Sequence, residues 1–164
     1  METIKTISSF TGDYAFLSNF YECQIFYNGR PYKSSEAAYQ SMKTMSTLER
    51  DEFSKLSPDE AKRKGRQLSL RHDWEDIKDD IMYKVLVCKF SQNPDLSKQL
   101  VLTGDAELVE GNTWGDTYWG VCNGVGEDRL GMILMRIRDE FKDMYYTEKN
   151  GCKVHVKSYL ENKD

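Results

Sequence analysis

Apolar residues recur every three or four positions over much of this chain, which is the periodicity of an amphipathic helix. The stripe is clearest over residues 128–144 and predicts a long helix there. Its apolar positions are Leu130, Ile133, Leu134, Ile137, Phe141 and Met144. Arg136, Arg138 and Lys142 lie off this stripe, so we expect all three to face solvent.

A second stripe and several start signals predict further helices. The second stripe consists of Trp74, Ile77, Ile81, Val85 and Cys88. Shorter helices are predicted to begin at Ser34 or Ser35, Thr47, Ser57 and Asn93. The first of these runs through Lys43. The segment 57–60 combines an N-cap Ser, a Pro in the first turn and a Glu three residues on, which is a capping box.

Strand character is confined to residues 3–10, 22–27 and 106–110. Asn28-Gly29 is a tight-turn signal and predicts a hairpin with the segment around Pro31-Tyr32. The sequence therefore predicts a mainly α (α+β) fold. We expect one compact helical domain over residues 1–146, with a few short N-terminal strands and the hairpin. Residues 147–164 form a C-terminal extension, either an edge strand or a loosely docked tail.

Composition narrows the class of protein. The 164 residues, 39% hydrophobic and 30% charged, fit a single soluble domain. The net charge of −4 argues against a broad phosphate-binding surface but leaves room for a small phosphate pocket. A run of cations is either a solvated helix face or a rim that faces phosphate. It consists of Lys62, Arg63, Lys64, Arg66 and Arg71.

The spacing of the cysteines and the lack of long apolar segments argue against metal-binding, disulfide-rich and membrane proteins. The 4 cysteines are far apart and only 2 histidines accompany them, so we expect neither a metal site nor a disulfide framework. The N-terminus lacks the apolar run of a signal peptide, and no segment reaches the length of a membrane span. We therefore expect a cytoplasmic protein without membrane contact.

Residues 111–120 contain two of the chain's three tryptophans together with three glycines and Asp116. Glycine weakens both helix and strand, so this composition indicates a tightly bent loop. A flat aromatic wall beside a carboxylate is suited to holding a nucleobase or a sugar. The alternative is a loop whose tryptophans fill the core. Composition alone leaves both open.

Two further motifs carry polar groups suited to a site. Glu36, Gln40 and Lys43 share one helix face, which is either a solvated surface or the lining of a cleft. In the segment 16–20, two aromatic residues flank Ser18 and Asn19, which either bind a ligand or form a turn between core aromatics.

The chain has no GxSxG, Walker A, HExxH or GxGxxG motif. What is left is carboxylate, amide and lysine chemistry around aromatic rings. This set suits cleavage of a glycosidic bond, since a carboxylate can stabilise an oxocarbenium-like state or activate water. A departing base also needs its developing charge neutralised by a proton or a hydrogen bond.

Five motifs taken in order resemble the NADAR family, also called YbiA-like proteins. They are Phe16-Leu17-Ser18-Asn19-Phe20, Ser34-Ser35-Glu36 followed by Gln40 and Lys43, Arg71-His72-Asp73-Trp74, Asp116-Thr117-Tyr118-Trp119-Gly120, and Leu130-Gly131-Met132-Ile133-Leu134-Met135. Each motif is weak alone, but five in the same order and spacing are specific. Asp128 stands where many members have Asn.

The resemblance implies a compact, mainly helical fold and an N-glycosidic activity that needs no metal or other cofactor. Some family members hydrolyse the base–ribose bond of an early riboflavin-pathway intermediate, and others remove ADP-ribose from modified guanine in nucleic acid. By position, Glu36, Lys43 and Asp116 would be catalytic. Gln40 and Trp119 would also line the pocket, with Asn19 and Phe20 closing it. We add Ser18, Trp114 and Gly120 to this predicted substrate-binding set, although Trp114 lies outside the matching motif.

We therefore expect an N-glycosidase whose partner is ADP-ribose or ADP-ribosylated guanine in nucleic acid. Glu36 or Asp116 is the general base, and Lys43 is either a nucleophile or an electrostatic group. One alternative is a hydrolase of phosphoribosylamino-pyrimidine intermediates of the riboflavin pathway. Another is a module that binds ADP-ribose or a nucleotide without cleaving it.

Overall fold

The computed structural model describes residues 3–149, and helices outweigh strands in this part of the chain. The helices are a 3-10 helix (Gly12–Leu17), α1 (Ser35–Ser41), α2 (Thr47–Phe53), α3 (Pro58–Gly65), α4 (Trp74–Gln92), α5 (Pro94–Leu102) and α6 (Arg129–Lys149). The strands are β1 (Thr6–Ile7), β2 (Glu22–Tyr27), β3 (Arg30–Ser34), β4 (Glu107–Leu108), β5 (Gly111–Asn112) and β6 (Val121–Cys122). The predicted mainly α (α+β) fold is confirmed.

The strands form three separate pairs. β2 and β3 form an antiparallel hairpin, whose turn places Asn28 and Gly29 at φ angles of 48° and 78°. These positive φ angles are what an Asn-Gly turn supplies, so the predicted hairpin is confirmed. β1 pairs with β4 and β5 with β6, both in parallel. The strand predicted over residues 3–10 is limited to the two residues of β1.

Side-chain caps fix where three of the short helices begin. Ser34 accepts a hydrogen bond from the Ala37 amide at the start of α1. Ser57 and Glu60 form the predicted capping box of α3. α2 begins at Thr47, as predicted, with Ser46 as its cap. The residues at which α1, α2 and α3 begin are therefore determined by the local sequence.

Helix α1 lies at the centre of the domain. It contacts α2, α3, α4 and the β2–β3 hairpin, and each of its seven residues is buried. The apolar faces of α4 and α6 complete the core, with Val85, Leu86, Leu134 and Ile137 fully buried. Polar residues of α1 consequently point into the protein interior.

The C-terminal helix is longer than the sequence predicted. α6 continues to Lys149, so the boundary predicted between residues 146 and 147 falls within it. The remainder of the predicted extension lies outside the described residues. No described helix is both long and apolar enough to cross a membrane.

Asp128 precedes α6 in a left-handed conformation, with φ of 49°. Asn and Asp adopt this region more readily than other residues with a side chain, which explains the residue types found at this position. The Asp128 carboxylate accepts a hydrogen bond from the Glu110 amide at 2.9 Å. It thereby ties the start of α6 to the chain after β4.

The expectation that Arg138 faces solvent was wrong. Its guanidinium is buried and donates to the Ala106 carbonyl at 2.7 Å and to the Thr103 hydroxyl at 3.0 Å. Lys142 is half-buried and donates to the Gly104 carbonyl at 2.7 Å. Both residues lie where the α5–β4 connection crosses α6, so they satisfy carbonyls that this crossing removes from water.

We expect Arg138→Met to lower the free energy of unfolding by about 2–3 kcal/mol, because it leaves the Ala106 carbonyl buried without a charged donor. The matched variant Arg136→Met removes a side chain that is exposed and paired with Glu140. It should cost less than about 1 kcal/mol. Urea unfolding of both variants measures the difference, and equal losses would contradict the assigned role of Arg138.

Candidate active site

In the row of Glu36, Gln40 and Lys43, the first two residues lie inside the protein and Lys43 is half-buried. Glu36 and Gln40 are buried on α1, and the Gln40 amide donates to Glu36 Oε1 at 2.8 Å. The helix ends at Ser41, so Lys43 belongs to the turn that follows rather than to the helix itself. Its amide still donates to the Gln40 carbonyl at 3.2 Å. The row is therefore not a solvated surface.

Burial sets the protonation chemistry of Glu36. Burial raises the pKa of the Glu36 carboxyl, and the Gln40 hydrogen bond and the charges of Lys62 and Lys43 oppose that rise. The charge of Asp116 raises the pKa of Glu36 further, which places Asp116 near this carboxyl. Lys43 and Asp116 thus both act electrostatically on the Glu36 carboxyl, and the catalytic assignment of the three residues stays a prediction.

Gly65 on α3 makes room for Gln40. A Cβ atom at Gly65 would lie 1.9 Å from Gln40 Oε1, so any side chain there would displace the amide. Gln40 Oε1 is buried and has no hydrogen-bond partner among the described residues. The Gln40 amide is thus enclosed between Glu36 and the backbone of α3.

Lys43 is half-buried beside aromatic rings. Its ammonium lies 5.9 Å from the ring centroids of both Tyr39 and Trp74. Burial lowers the pKa of Lys43, the charge of Glu36 opposes this, and the cations Arg66 and Lys62 reinforce it. A lysine in such surroundings loses its proton closer to neutral pH than an exposed one.

Ser18 and Asn19 hold the beginning of α1. The Asn19 carbonyl accepts from the Glu36 amide at 3.1 Å, and Asn19 Oδ1 accepts from the Ser35 hydroxyl at 2.8 Å. Ser18 Oγ accepts from the Phe20 amide, and its carbonyl accepts from the buried ammonium of Lys89 at 2.8 Å. In the free protein the side chains of Ser18 and Asn19 therefore support the site from behind.

The loop 111–120 is held by its own polar side chains. Asp116 Oδ1 accepts from the amides of Tyr118 and Trp119 at 3.1 and 2.9 Å. The Asn112 side chain bonds the Asp116 amide and carbonyl at 3.0 and 2.8 Å. Asp116 therefore shapes the backbone of this loop in addition to lying near Glu36.

The two tryptophans of this loop have different surroundings. Trp119 packs edge-on against Tyr39, with ring centroids 5.6 Å apart, and so joins the core. Trp114 is 61% exposed. The core-filling interpretation thus describes Trp119, and the ligand-binding role of Trp114 stays a prediction.

Gly120 has a packing reason for being glycine. A Cβ atom there would lie 2.1 Å from the Glu110 carbonyl oxygen and 3.0 Å from Glu110 Cγ. The two chain segments that contain Gly120 and Glu110 approach too closely at this point to leave room for a side chain. Its assignment to substrate binding stays a prediction.

Two residues outside the predicted site set border this centre. Glu110 lies close enough to Glu36 and Asp116 for their charges to reinforce the effect of burial on its pKa. Lys62 on α3 places its ammonium 5.4 Å from the ring centroids of both Phe20 and Trp114. The position of Lys62 in the run of cations was its signal, whereas nothing local distinguishes Glu110.

Phe20, Lys62 and Trp114 together form what we call the aromatic rim. Phe20 is 40% exposed, and Lys62 also acts on the carboxyl of Glu36. The rest of the cationic run is divided. Arg63 pairs with Asp59, Lys64 with Glu52 and Arg71 with Asp73. Lys62 thus lies at the aromatic rim and Arg66 near Lys43, and a contact of this run with phosphate stays a prediction.

Within residues 3–149, no group of three or more His, Cys, Asp and Glu side chains is arranged to hold a metal ion. The described cysteines, Cys23, Cys88 and Cys122, are free thiols. The polar groups that the site offers are therefore carboxylates, an amide and two lysines.

Comparisons with known proteins agree with the order of these motifs. A family model described as the NADAR domain matches residues 8–142. N-glycosidase YbiA of Escherichia coli (strain K12) is 38% identical over 143 residues, which cover 85% of this chain and 89% of that protein. A riboflavin biosynthesis protein of Vibrio vulnificus is 37% identical over 135 residues, covering 80% of this chain but only 36% of that longer protein.

The fold agrees as well. The NMR structure of the E. coli protein YbiA matches with a TM-score of 0.77 at 35% sequence identity, covering 94% of this chain and 91% of that one. Sequence motifs, family model and three-dimensional structure all lead to one assignment. The chain belongs to the NADAR family.

Proposed function

We propose that the protein is an N-glycosidase that removes ADP-ribose from modified guanine bases in nucleic acid. The broader activity, hydrolysis of an N-glycosyl bond, is supported by family membership and by the relative named N-glycosidase YbiA. The aromatic rim is the observation that favours ADP-ribose as the group removed.

The rim lies beyond the buried row and offers what a dinucleotide-like group requires. Two exposed rings on separate segments can stack on a flat base, and the Lys62 ammonium between them can contact a diphosphate. A phosphoribosylamino-pyrimidine has one phosphate and no second base, so it leaves one part of the rim unused. The net charge of −4 fits a contact limited to one modified base and its ADP-ribose.

The buried row supplies the chemistry in this proposal. Glu36 or Asp116 takes a proton from the attacking water, and Gln40 positions the Glu36 carboxyl through its amide. Lys43 has two possible roles, as an electrostatic group beside the sugar or as an amine nucleophile at the anomeric carbon. Its lowered pKa, and the use of Gln40 rather than Lys43 as the hydrogen-bond partner of Glu36, favour the nucleophile.

A second candidate function is hydrolysis of a riboflavin-pathway N-glycoside. The similarity to riboflavin biosynthesis proteins of Vibrio vulnificus and Arabidopsis thaliana is the observation that favours it. A third is binding of ADP-ribose without cleavage. The experiments below separate all three.

We expect Glu36→Gln, Lys43→Met and Asp116→Asn each to slow release of ADP-ribose from an ADP-ribosylated guanine oligonucleotide about 100-fold or more. Each removes a proton-accepting or attacking group. Mass spectrometry of the oligonucleotide measures release, and circular dichroism checks the fold. Lys55→Met, at an exposed position of the same charge, is the control and should retain full activity.

Full activity of all three variants would overturn the catalytic assignment. An intact oligonucleotide in a stable complex with the wild-type protein would identify the binding module. Cleavage of a phosphoribosylamino-pyrimidine, without release of ADP-ribose, would identify the riboflavin-pathway hydrolase.

Borohydride distinguishes the two roles of Lys43. If its amine attacks the anomeric carbon, the base departs and the opened ribose is held as an iminium that borohydride reduces to a stable amine. Mass spectrometry should then find an ADP-ribosyl adduct on the Lys43 peptide in the wild type and in Lys55→Met, but not in Lys43→Met. A wild-type enzyme that turns over without any adduct would assign Lys43 the electrostatic role.

The rim should control affinity rather than the chemical step. We expect Phe20→Ala, Trp114→Ala and Lys62→Met to raise KM for the ADP-ribosylated oligonucleotide about 10-fold each, because base stacking contributes about 1–3 kcal/mol per base. The controls are Phe26→Ala, an exposed ring on the hairpin, and Lys64→Met, on the same helix as Lys62. If KM rises as much in the controls, the rim has no part in substrate binding.

A further inference from the structure

The backbone of Glu110 is fixed on both sides between β4 and β5. Its amide donates to Asp128 Oδ1 at 2.9 Å, and its carbonyl accepts from the Val121 amide at 2.9 Å. Gly120 packs against the same residue, because a Cβ there would touch the Glu110 carbonyl oxygen and Cγ. The direction in which the Glu110 side chain leaves the backbone is therefore set by the fold.

The Glu110 carboxyl has a buried oxygen without a hydrogen-bond donor. Oε2 is shielded from solvent and has no partner among the described residues. An anionic oxygen in that position has lost hydration without compensation, whereas a protonated carboxyl avoids most of that cost. This geometry favours the neutral acid.

The charges around Glu110 act in the same direction. The pKa of Glu110 is raised to about 7: burial is the largest cause, the carboxylates of Asp116, Asp128 and Glu36 add to it, and the Lys62 ammonium opposes it. Nearby carboxylates disfavour ionisation of a buried acid, so these charges favour the protonated form of Glu110.

The neighbouring acids are already engaged as acceptors. Asp116 Oδ1 accepts from two backbone amides, and Glu36 Oε1 accepts from the Gln40 amide. Asp128 Oδ1, at the start of α6, accepts a hydrogen bond from the Glu110 amide. Of these four side chains, Glu110 is the one that accepts no hydrogen bond in the described structure and is therefore best placed to hold a proton for a ligand.

We propose that Glu110 is the general acid of this N-glycosidase and protonates the departing base. The inference rests on the proposed function only to the extent that a neutral base is cleaved from a ribose. It adds to the site a residue that the family motifs quoted above do not include. The proposal also explains why position 120 is glycine, since a larger residue there would displace Glu110.

The step balances in atoms and electrons. The bond between the anomeric carbon and the base nitrogen breaks, and its electron pair goes to the nitrogen, which takes the proton from Glu110. Water supplies hydroxide to the anomeric carbon, directly or after an adduct with Lys43. The second proton of that water is taken up by Glu36 or Asp116 and returns to Glu110, so the enzyme ends as it began.

The test is Glu110→Gln, which keeps the size of the side chain but cannot donate an acidic proton. We expect kcat for release of ADP-ribose to fall about 100-fold or more. The wild-type rate should fall as pH rises through about 7, since the acid is active only when protonated and lowering the pH restores it. In Glu110→Gln this alkaline decline should disappear.

Two further variants separate catalysis from folding. Glu110→Asp keeps an acid on a shorter side chain, so it should recover part of the rate and the alkaline decline. Glu107→Gln changes an exposed carboxylate three residues away and should alter neither. Carbon-13 NMR of the Glu110 carboxyl, assigned by its loss in Glu110→Gln, should show titration near pH 7 instead of near the ordinary glutamate value of about 4.3.

Three results would overturn the inference: Glu110→Gln within threefold of the wild-type rate, a wild-type rate unchanged through pH 7, or ordinary titration of the carboxyl. Failure of the proposed function looks different. There the wild type itself leaves the ADP-ribosylated oligonucleotide intact, and if it cleaves a phosphoribosylamino-pyrimidine instead, the same variants are compared on that substrate. A wild type that cleaves neither would refute both proposals.

Discussion

The burial of α1 on every side is the constraint on which the rest of this structure depends. A helix of seven residues enclosed by α2, α3, α4 and the hairpin cannot direct its polar face to water. Glu36 and Gln40 are therefore paired with each other inside the domain. A buried carboxyl is costly unless it is hydrogen-bonded or neutral, and the Gln40 amide reduces that cost for Glu36.

Elements around α1 are shaped to accept it. Gly65 lets α3 approach until the Gln40 amide lies against its backbone. Asn19 takes up the Glu36 amide, and the buried Lys89 in turn holds the Ser18 carbonyl. Burial lowers the pKa of Lys89 to about 8, so the protein also bears the cost of a desolvated cation to fix this loop. Residues far apart in sequence thus converge on one helix terminus.

Features set by neighbouring residues were predictable from the sequence. The Asn28-Gly29 turn, the capping box at Ser57 and the apolar stripe of α6 all depend on local geometry, and all three are present. Arg138 and Glu110 depend instead on which distant segments meet. The spacing of apolar residues within one helix cannot reveal that the α5–β4 connection crosses α6. Nor can it reveal that the chain at Gly120 packs closely against Glu110. Glu36, Gln40 and Lys43 were singled out by their resemblance to family motifs and by their shared helix face, and neither signal reveals which distant segments pack around them.

The same physical cause prepares both ends of the proposed reaction. Burial lowers the pKa of Lys43, and it raises the pKa of Glu110 to about 7. A free amine and a neutral acid are favoured together only where neither group is close enough to the other to form an ion pair, and here Lys43 lies against Tyr39 and Trp74 while Glu110 lies beside Asp116. Pairs of groups whose pKa values are shifted in opposite directions are characteristic of acid–base catalysis. In the proposed reaction, burial thus acts on both groups in the direction that acid–base chemistry requires.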